Sequence, residues 1–333
     1  MKTLPHLRLL LAPLLPLALL ACSSTKHRLY DHEVPLTTEH QQALMKRAKP
    51  PQTYGITIYA TDDGPIYAGS ARTYPRQTAR AELKGDRHST APIVTVSPSQ
   101  SGPFLSMLID TTAEESWLTQ FARTELGAVI ISMPQPIEAM AAHVYDPIGG
   151  WAAIVPKLRI EDLHVENVVF YARSAFGPLG PLARWERDPR ISGVLGFDLL
   201  RAFNHVTFDF QSRVITFSAT TDVRIPPDRI LAEVPINPNA RSLLVNGRIL
   251  GEPTDLLLDF AGDFEVASHQ PDSDTLRQIS LGNLVFRNVS VVSSFDLGLG
   301  DDSPPRIGRS LLERYIVTLD FKNRRVLFER PRQ

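Results

Sequence analysis

Two aspartates are set apart by what precedes them. Asp110 closes the apolar run Phe104-Leu-Ser-Met-Leu-Ile109 and is followed by Thr111 and Thr112. Asp259 closes Leu256-Leu-Leu258 and is followed by Phe260, Ala261 and Gly262. Each pattern is that of an apolar strand delivering one carboxylate to a loop. Carboxylates that meet within a few ångströms cannot both ionise, so such a pair shares a proton and titrates as a unit. The two stretches suggest two similar lobes that meet at a pair of aspartates.

The elements that must position these loops are short strands. Ile93–Val96, Phe104–Ile109, Trp117–Phe121, Ala128–Ser132, Ala152–Ile160 and Val165–Tyr171 are β-branched and apolar runs divided by Gly, Pro, Asn and Asp turns. No helical periodicity persists beyond about two turns outside the N-terminal leader. Ile191-Ser-Gly-Val-Leu-Gly-Phe-Asp-Leu-Leu200 reads as strand, Gly turn and short helix, and Val206–Phe217 as a hairpin turning at Gln211–Arg213. Both pieces recur in order at Arg306–Tyr315 and Ile316–Phe328: Leu-Leu matches Leu-Leu, and Thr-Phe-Asp-Phe matches Thr-Leu-Asp-Phe. The chain therefore contains an internal repeat. The first copy is expected over residues 91–222 and the second over 230–333, with the break at Pro226-Pro227. Asn246-Gly247 is expected to turn a hairpin early in the second copy. Residues 22–90 read as a tether and N-terminal extension, with a possible short helix near His40–Ala48, a strand at Tyr54–Ala60 and an exposed loop or ragged hairpin over Arg72–Thr90.

Composition narrows the function classes. Lys plus Arg number 35 against 36 for Asp plus Glu, which leaves no electrostatic case for nucleic acid. The 27 prolines favour strands and turns over long helices. The nine histidines are scattered without a His-x-x-x-His pair, and the chain has one cysteine, so neither a metal nor an organic cofactor is expected. That cysteine, Cys22, follows a basic start (Lys2, Arg8) and an apolar run broken by Pro13 and Pro16, which suits a secretory signal over residues 1–21. Leu19-Leu-Ala-Cys22 resembles the lipobox of bacterial lipoproteins. The resemblance implies cleavage before Cys22, its lipidation, and placement in the cell envelope; Ser23 implies the outer membrane, facing the periplasm. An ordinary signal peptide followed by an unrelated cysteine is the alternative.

The repeated elements resemble those of aspartic peptidases of the pepsin and retropepsin clan. Ile307-Gly-Arg-Ser-Leu-Leu312 is similar to the Ile-Gly-Arg-Asn-Leu-Leu pattern of retroviral-type proteases, and Val194-Leu-Gly-Phe-Asp-Leu-Leu200 is its counterpart in the first copy. The resemblance spans about Ile93 to Phe328. It implies an all-β fold of two acid-protease-like barrels, each a retropepsin-like unit with a short helix. It also implies an Asp110–Asp259 pair that hydrolyses protein or peptide substrates through an activated water. In that family a Thr or Ser after each Asp bonds across to the other loop, and a Gly follows. Thr111 fits the first role and Phe260 does not, while Thr112 and Ala261 stand where the family has glycine.

A flap is expected over His143–Trp151, with Gly149-Gly150 at its tip, Tyr145 as its hydroxyl-bearing residue and Trp151 lining the cleft. The second copy is too short for one. With both lobes in one chain, a monomer is expected. The leading reading is a membrane-anchored aspartic endopeptidase, and the alternative is an inactive relative holding a peptide or protein partner in the same cleft.

Overall fold

Short runs of β-branched and aromatic residues between turn signals do fold as strands, and the chain is all-β with few short helices. The computed structural model describes residues 34–331 apart from 36, 62–63, 85–90, 133–149, 174, 177–190, 221–222, 270, 272, 295 and 298–302. The N-terminal part holds β1 (Val34–Pro35), helix α1 (Thr38–Met45), β2 (Thr57–Thr61), β3 (Gly64–Ala68), β4 (Arg72–Thr73) and β5 (Thr78–Glu82). The first unit begins with β6 (Ile93–Val96), β7 (Leu105–Ile109), β8 (Trp117–Leu118), α2 (Gln120–Glu125), β9 (Val129–Ile130) and β10 (Gly150–Ile160). It continues through β11 (Leu163–Arg173), β12 (Ala175–Phe176), β13 (Ile191–Leu195), α3 (Phe197–Leu200), β14 (His205–Asp209) and β15 (Val214–Ser218). The second unit opens with β16 (Ile230–Pro235), β17 (Leu244–Ile249), β18 (Glu252–Asp259), β19 (Val266–Ser268) and β20 (Thr275–Leu281). It closes with β21 (Leu284–Ser293), β22 (Arg306–Gly308), α4 (Arg309–Leu312), β23 (Ile316–Asp320) and β24 (Arg325–Glu329).

The repeat seen in the sequence is a repeat of topology. In the first unit β7 runs parallel to β13, β13 antiparallel to β8, and β8 parallel to β11. In the second, β18, β22, β19 and β21 stand in the same relations. There the strands close into a barrel in the order β17-β18-β22-β19-β21-β20.

The units share a six-stranded sheet, β16-β24-β23-β14-β15-β5, three strands from each side of the chain. At its middle Thr207 lies opposite Thr318, with the hydroxyl oxygens 2.9 Å apart. These threonines hold the same place in the two copies, so a local two-fold axis passes between them. Asp209 and Asp320 close the equivalent hairpins, accepting from Ser212 N at 3.0 Å and Asn323 N at 3.1 Å. One continuous apolar core runs through both units and this sheet, including Met107, Phe170, Phe208, Phe217, Leu258, Phe260 and Phe328.

Three expectations change. The N-terminal extension is built onto the first unit rather than forming a loose tether. Ile56 is fully buried, and Tyr54, Ile58 and Tyr67 pack against Ala152, Ile154, Val169 and Tyr171. Within Arg72–Thr90, Thr78–Glu82 is an edge strand paired with β15, burying Ala79 and Ala81 and exposing the residues between them. Asn246-Gly247 lies inside β17, and the turn falls at Leu250-Gly251, both with positive φ (52° and 94°). Gly247 answers a packing need, since a Cβ there would stand 2.3 Å from Leu256 Cδ1 and 2.7 Å from the Ser280 carbonyl.

Candidate functional site: the joint between the aspartate loops

Asp110 ends β7, and Asp259 ends β18 in the equivalent place. The Asp110 carboxylate is drawn into its own loop. Its Oδ1 accepts from Thr112 N at 2.8 Å, Thr112 Oγ1 at 2.7 Å and Ala113 N at 3.2 Å. Asp259 is fully buried, and its Oδ1 accepts from Gly262 N at 2.7 Å.

The loops are tied from one side. Thr111, also fully buried, donates through Oγ1 to the Leu258 carbonyl at 2.5 Å and accepts from Phe260 N at 3.3 Å. Leu243 N donates to the Thr111 carbonyl at 2.9 Å. No reciprocal side-chain bond comes from Phe260. Its ring lies in the core, stacked on Phe208 with centroids 4.1 Å apart and planes 20° from parallel. Ala261 is fully buried with Ala91, Ile93 and Leu108 of the first unit, so its methyl seals the junction. Thr112 likewise has a use that glycine could not supply, because its hydroxyl holds Asp110.

The residue that sequence reasoning missed is Arg306, at the start of β22. Its Nη1 donates to Thr112 Oγ1 at 3.0 Å and to Asp259 Oδ2 at 3.4 Å, and its Nη2 donates to Ser303 Oγ at 3.2 Å. The side chain is 13% exposed. Asp110, Thr112, Arg306 and Asp259 thus form one chain of contacts joining the loops. Strand register places Val194 at the equivalent point of the first unit. A guanidinium in one copy where the other has valine was the available signal.

Two further pairings brace the joint. Arg241 of the second unit contacts both Glu114 (3.2 Å) and Glu115 of the first. Arg309, 2% exposed, pairs with Asp263 at 2.9 Å and donates to the Ala261 carbonyl at 3.3 Å. Burial lowers the pKa of its guanidinium, while the Asp263 and Glu313 carboxylates act to raise it.

The expected flap is only partly described. Tyr145 and Gly149 lie outside the described residues, while Gly150 and Trp151 open β10, where Trp151 packs against the main core. Asp198 stands inside α3. The N-cap is Gly196, and Asp198 accepts from Ser116 Oγ at 2.7 Å.

No family model and no curated protein matches the sequence. Among solved structures, basic 7S globulin from soybean is similar with a TM-score of 0.47 at 12% identity, over 77% of this chain and 95% of that one. Conglutin gamma, a basic 7S globulin from lupine seeds, is similar with a TM-score of 0.44 at 10% identity, over 76% and 95% of the respective chains. The expected aspartic-peptidase membership and hydrolase activity are corrected accordingly. No family model and no curated sequence supports a peptidase, and the solved structures named above are globulins.

The site supplies a physical reason. A proton-sharing pair balances its charge with one proton, whereas here Arg306 provides a permanent countercharge to Asp259. The alternative of a ligand held by the same carboxylates meets the same objection, because Asp259 is buried and ion-paired with Arg306. Residues 1–21 and Cys22 lie outside the described residues, and no comparison supports a signal or lipid anchor.

Proposed function

We propose that this protein is a non-hydrolytic binding scaffold for a protein or peptide partner. In this reading its paired aspartate loops are a structural joint, and recognition takes place on the surface of the first unit and its N-terminal hairpin. The observation that carries the reading is the Arg306 bridge between Thr112 and Asp259. A carboxylate tied into the fold by a guanidinium serves rigidity, and the one-sided Thr111 grip and the buried Phe260 ring serve the same end. In pre-organised complexes the interface backbone moves little on binding, which a rigid scaffold favours.

The test is proteolysis of an unfolded, fluorescently labelled protein between about pH 3 and 7, the range in which a carboxylate pair titrates. No cleavage is expected from the wild type, Asp110→Asn or Asp259→Asn. Cleavage by the wild type that disappears in both variants would overturn the reading.

A further inference from the structure

The duplicated fold is its own control, because whatever the architecture requires must recur in the second unit. Three residues of the first unit fail that criterion together. Trp117 pairs with Tyr171 across β8 and β11 and with Val194 of β13. The same positions in the second unit are Ala267, Val292 and Arg306. Asp198 corresponds to Ser310, since Phe197 N and Arg309 N bond equivalent loop carbonyls, those of Ala113 and Gly262, at 2.8 Å each. The barrel therefore forms without the two aromatic rings and without the acid.

In the first unit these residues sit together. The Trp117 and Tyr171 ring centroids are 5.7 Å apart, and Tyr67 of the N-terminal hairpin meets Tyr171 edge-on at 6.3 Å, hydroxyl to hydroxyl. Ser116, next to Trp117, donates to Asp198 at 2.7 Å and accepts from Gly196 N at 2.9 Å, which fixes the carboxylate against the residue that precedes Trp117. Burial raises the pKa of the Tyr67 hydroxyl, and Tyr171, Glu115 and Asp198 add to that shift in descending order. Glu115 is already matched by Arg241. Asp198 keeps surface exposure as a residue, but crowding by its neighbours desolvates the carboxylate and pushes its pKa up to about 6, against the hydrogen bond from Ser116. It is therefore charged at neutral pH, and no cation pairs with it among the described residues. Tyr67 and Trp117 remain partly open to solvent beside it.

We infer that the surface where the N-terminal hairpin meets the first unit, faced by Tyr67 and Trp117 over the buried Tyr171 ring and charged by Asp198, binds an organic cation of the ammonium class. Aromatic faces attract a cation through their quadrupoles, and a carboxylate fixed at the rim adds a directed countercharge. A lysine side chain of a bound polypeptide and a free alkylammonium present the same chemistry. This inference deepens the binding reading above and rests on it.

The experiment titrates the full chain by calorimetry with a lysine-centred nonapeptide, the same peptide acetylated at lysine, and n-butylammonium. The wild type is expected to bind the lysine peptide and to lose at least about tenfold in affinity for the acetylated one. Asp198→Ser is the variant of choice because serine already serves at that position in the second unit. It is expected to weaken binding about tenfold without shifting the unfolding midpoint, and Trp117→Leu is expected to weaken it similarly. Binding of the alkylammonium as well shows that the free cation suffices; binding of the peptide alone assigns the site to basic side chains. Absence of binding by both cations at millimolar concentration overturns the inference, as does affinity unchanged in Asp198→Ser. Mass spectrometry of the recovered peptide keeps the two proposals apart. A cut peptide sinks the non-hydrolytic reading, whereas an intact unbound peptide sinks only the site.

Discussion

At the scale of the residue, Arg306 ties the two aspartate loops together through Thr112 and Asp259. Removing one partner of a buried ion pair strands the other charge, which costs about 3 kcal/mol or more. Arg306→Met is therefore expected to lower the stability measured by urea unfolding by about 3 kcal/mol. Adding Asp259→Asn to that variant is expected to recover part of the loss, because the stranded charge goes with it. Additive losses in the double variant would show that the two side chains do not act as a pair. Thr111 offers a subtler test. Thr111→Val keeps the shape but leaves the Leu258 carbonyl and the Phe260 amide without their shared partner, at a cost of about 1–3 kcal/mol, while Thr111→Ser is expected to be milder. Equal losses in Ser and Val variants would mean that the methyl, not the hydroxyl, holds the loops.

At the scale of the element, the loop after β18 is anchored by an aromatic stack where the first loop has a hydroxyl. Phe260→Thr would put a hydroxyl into the Phe208–Phe260 stack and open a cavity, and a loss of about 3 kcal/mol is expected in the same unfolding measurement. The central sheet carries a pH dependence. His205, on β14 opposite Asp320, is held below the usual histidine pKa of 6.5 by desolvation, with Asp320 opposing that shift. A histidine that is harder to protonate when folded makes the unfolded chain the better proton acceptor. The associated stability is present above pH 6.5 and declines as pH falls below it. His205→Asn is expected to flatten the midpoint between pH 7.5 and 5 relative to wild type; an unchanged slope would assign that dependence elsewhere, as to His164, which is shifted in the same direction by its own burial.

Much of this level was legible from residue types. The strands before Asp110 and Asp259, the Gly-to-helix elements and the two late hairpins all carry strong local patterns. The missing parts had weak or long-range signals. β5 buries only Ala79 and Ala81, too little apolar surface to stand out beside Arg80 and Glu82. The hairpin β2–β3 owes its place to contacts such as Tyr67 with Tyr171, 104 residues away. Asn246-Gly247 misled because glycine there serves close packing rather than reversal. Arg306 was hidden at the edge of a repeat whose other members drew the comparison.

At the scale of the whole molecule, the two units are held by backbone pairing at β14 and β23, by the Thr111 and Arg306 contacts, and by Arg241 on Glu114 and Glu115. Arg241→Ala is expected to loosen this last tie, seen as faster amide exchange in the Asp110 and Asp259 loops with little change in the cores of either unit. Exchange confined to the second unit would argue against a role between units.

The Thr207–Thr318 contact has a consequence for ancestry and for fragments. Because each threonine faces its own counterpart, β14 and β23 meet as two versions of a single strand, and either one severed from the other exposes a self-complementary edge. Residues 223–333 produced alone would leave β23 paired with β24 on one side and present its β14-facing edge unpaired, with the hydrogen-bonding groups of that edge open. Such a fragment is expected to pair with a second copy of itself across that edge. A concentration-dependent dimer in sedimentation, abolished by proline at Thr318, would mean that this single chain still carries the association surface of a smaller, symmetric predecessor.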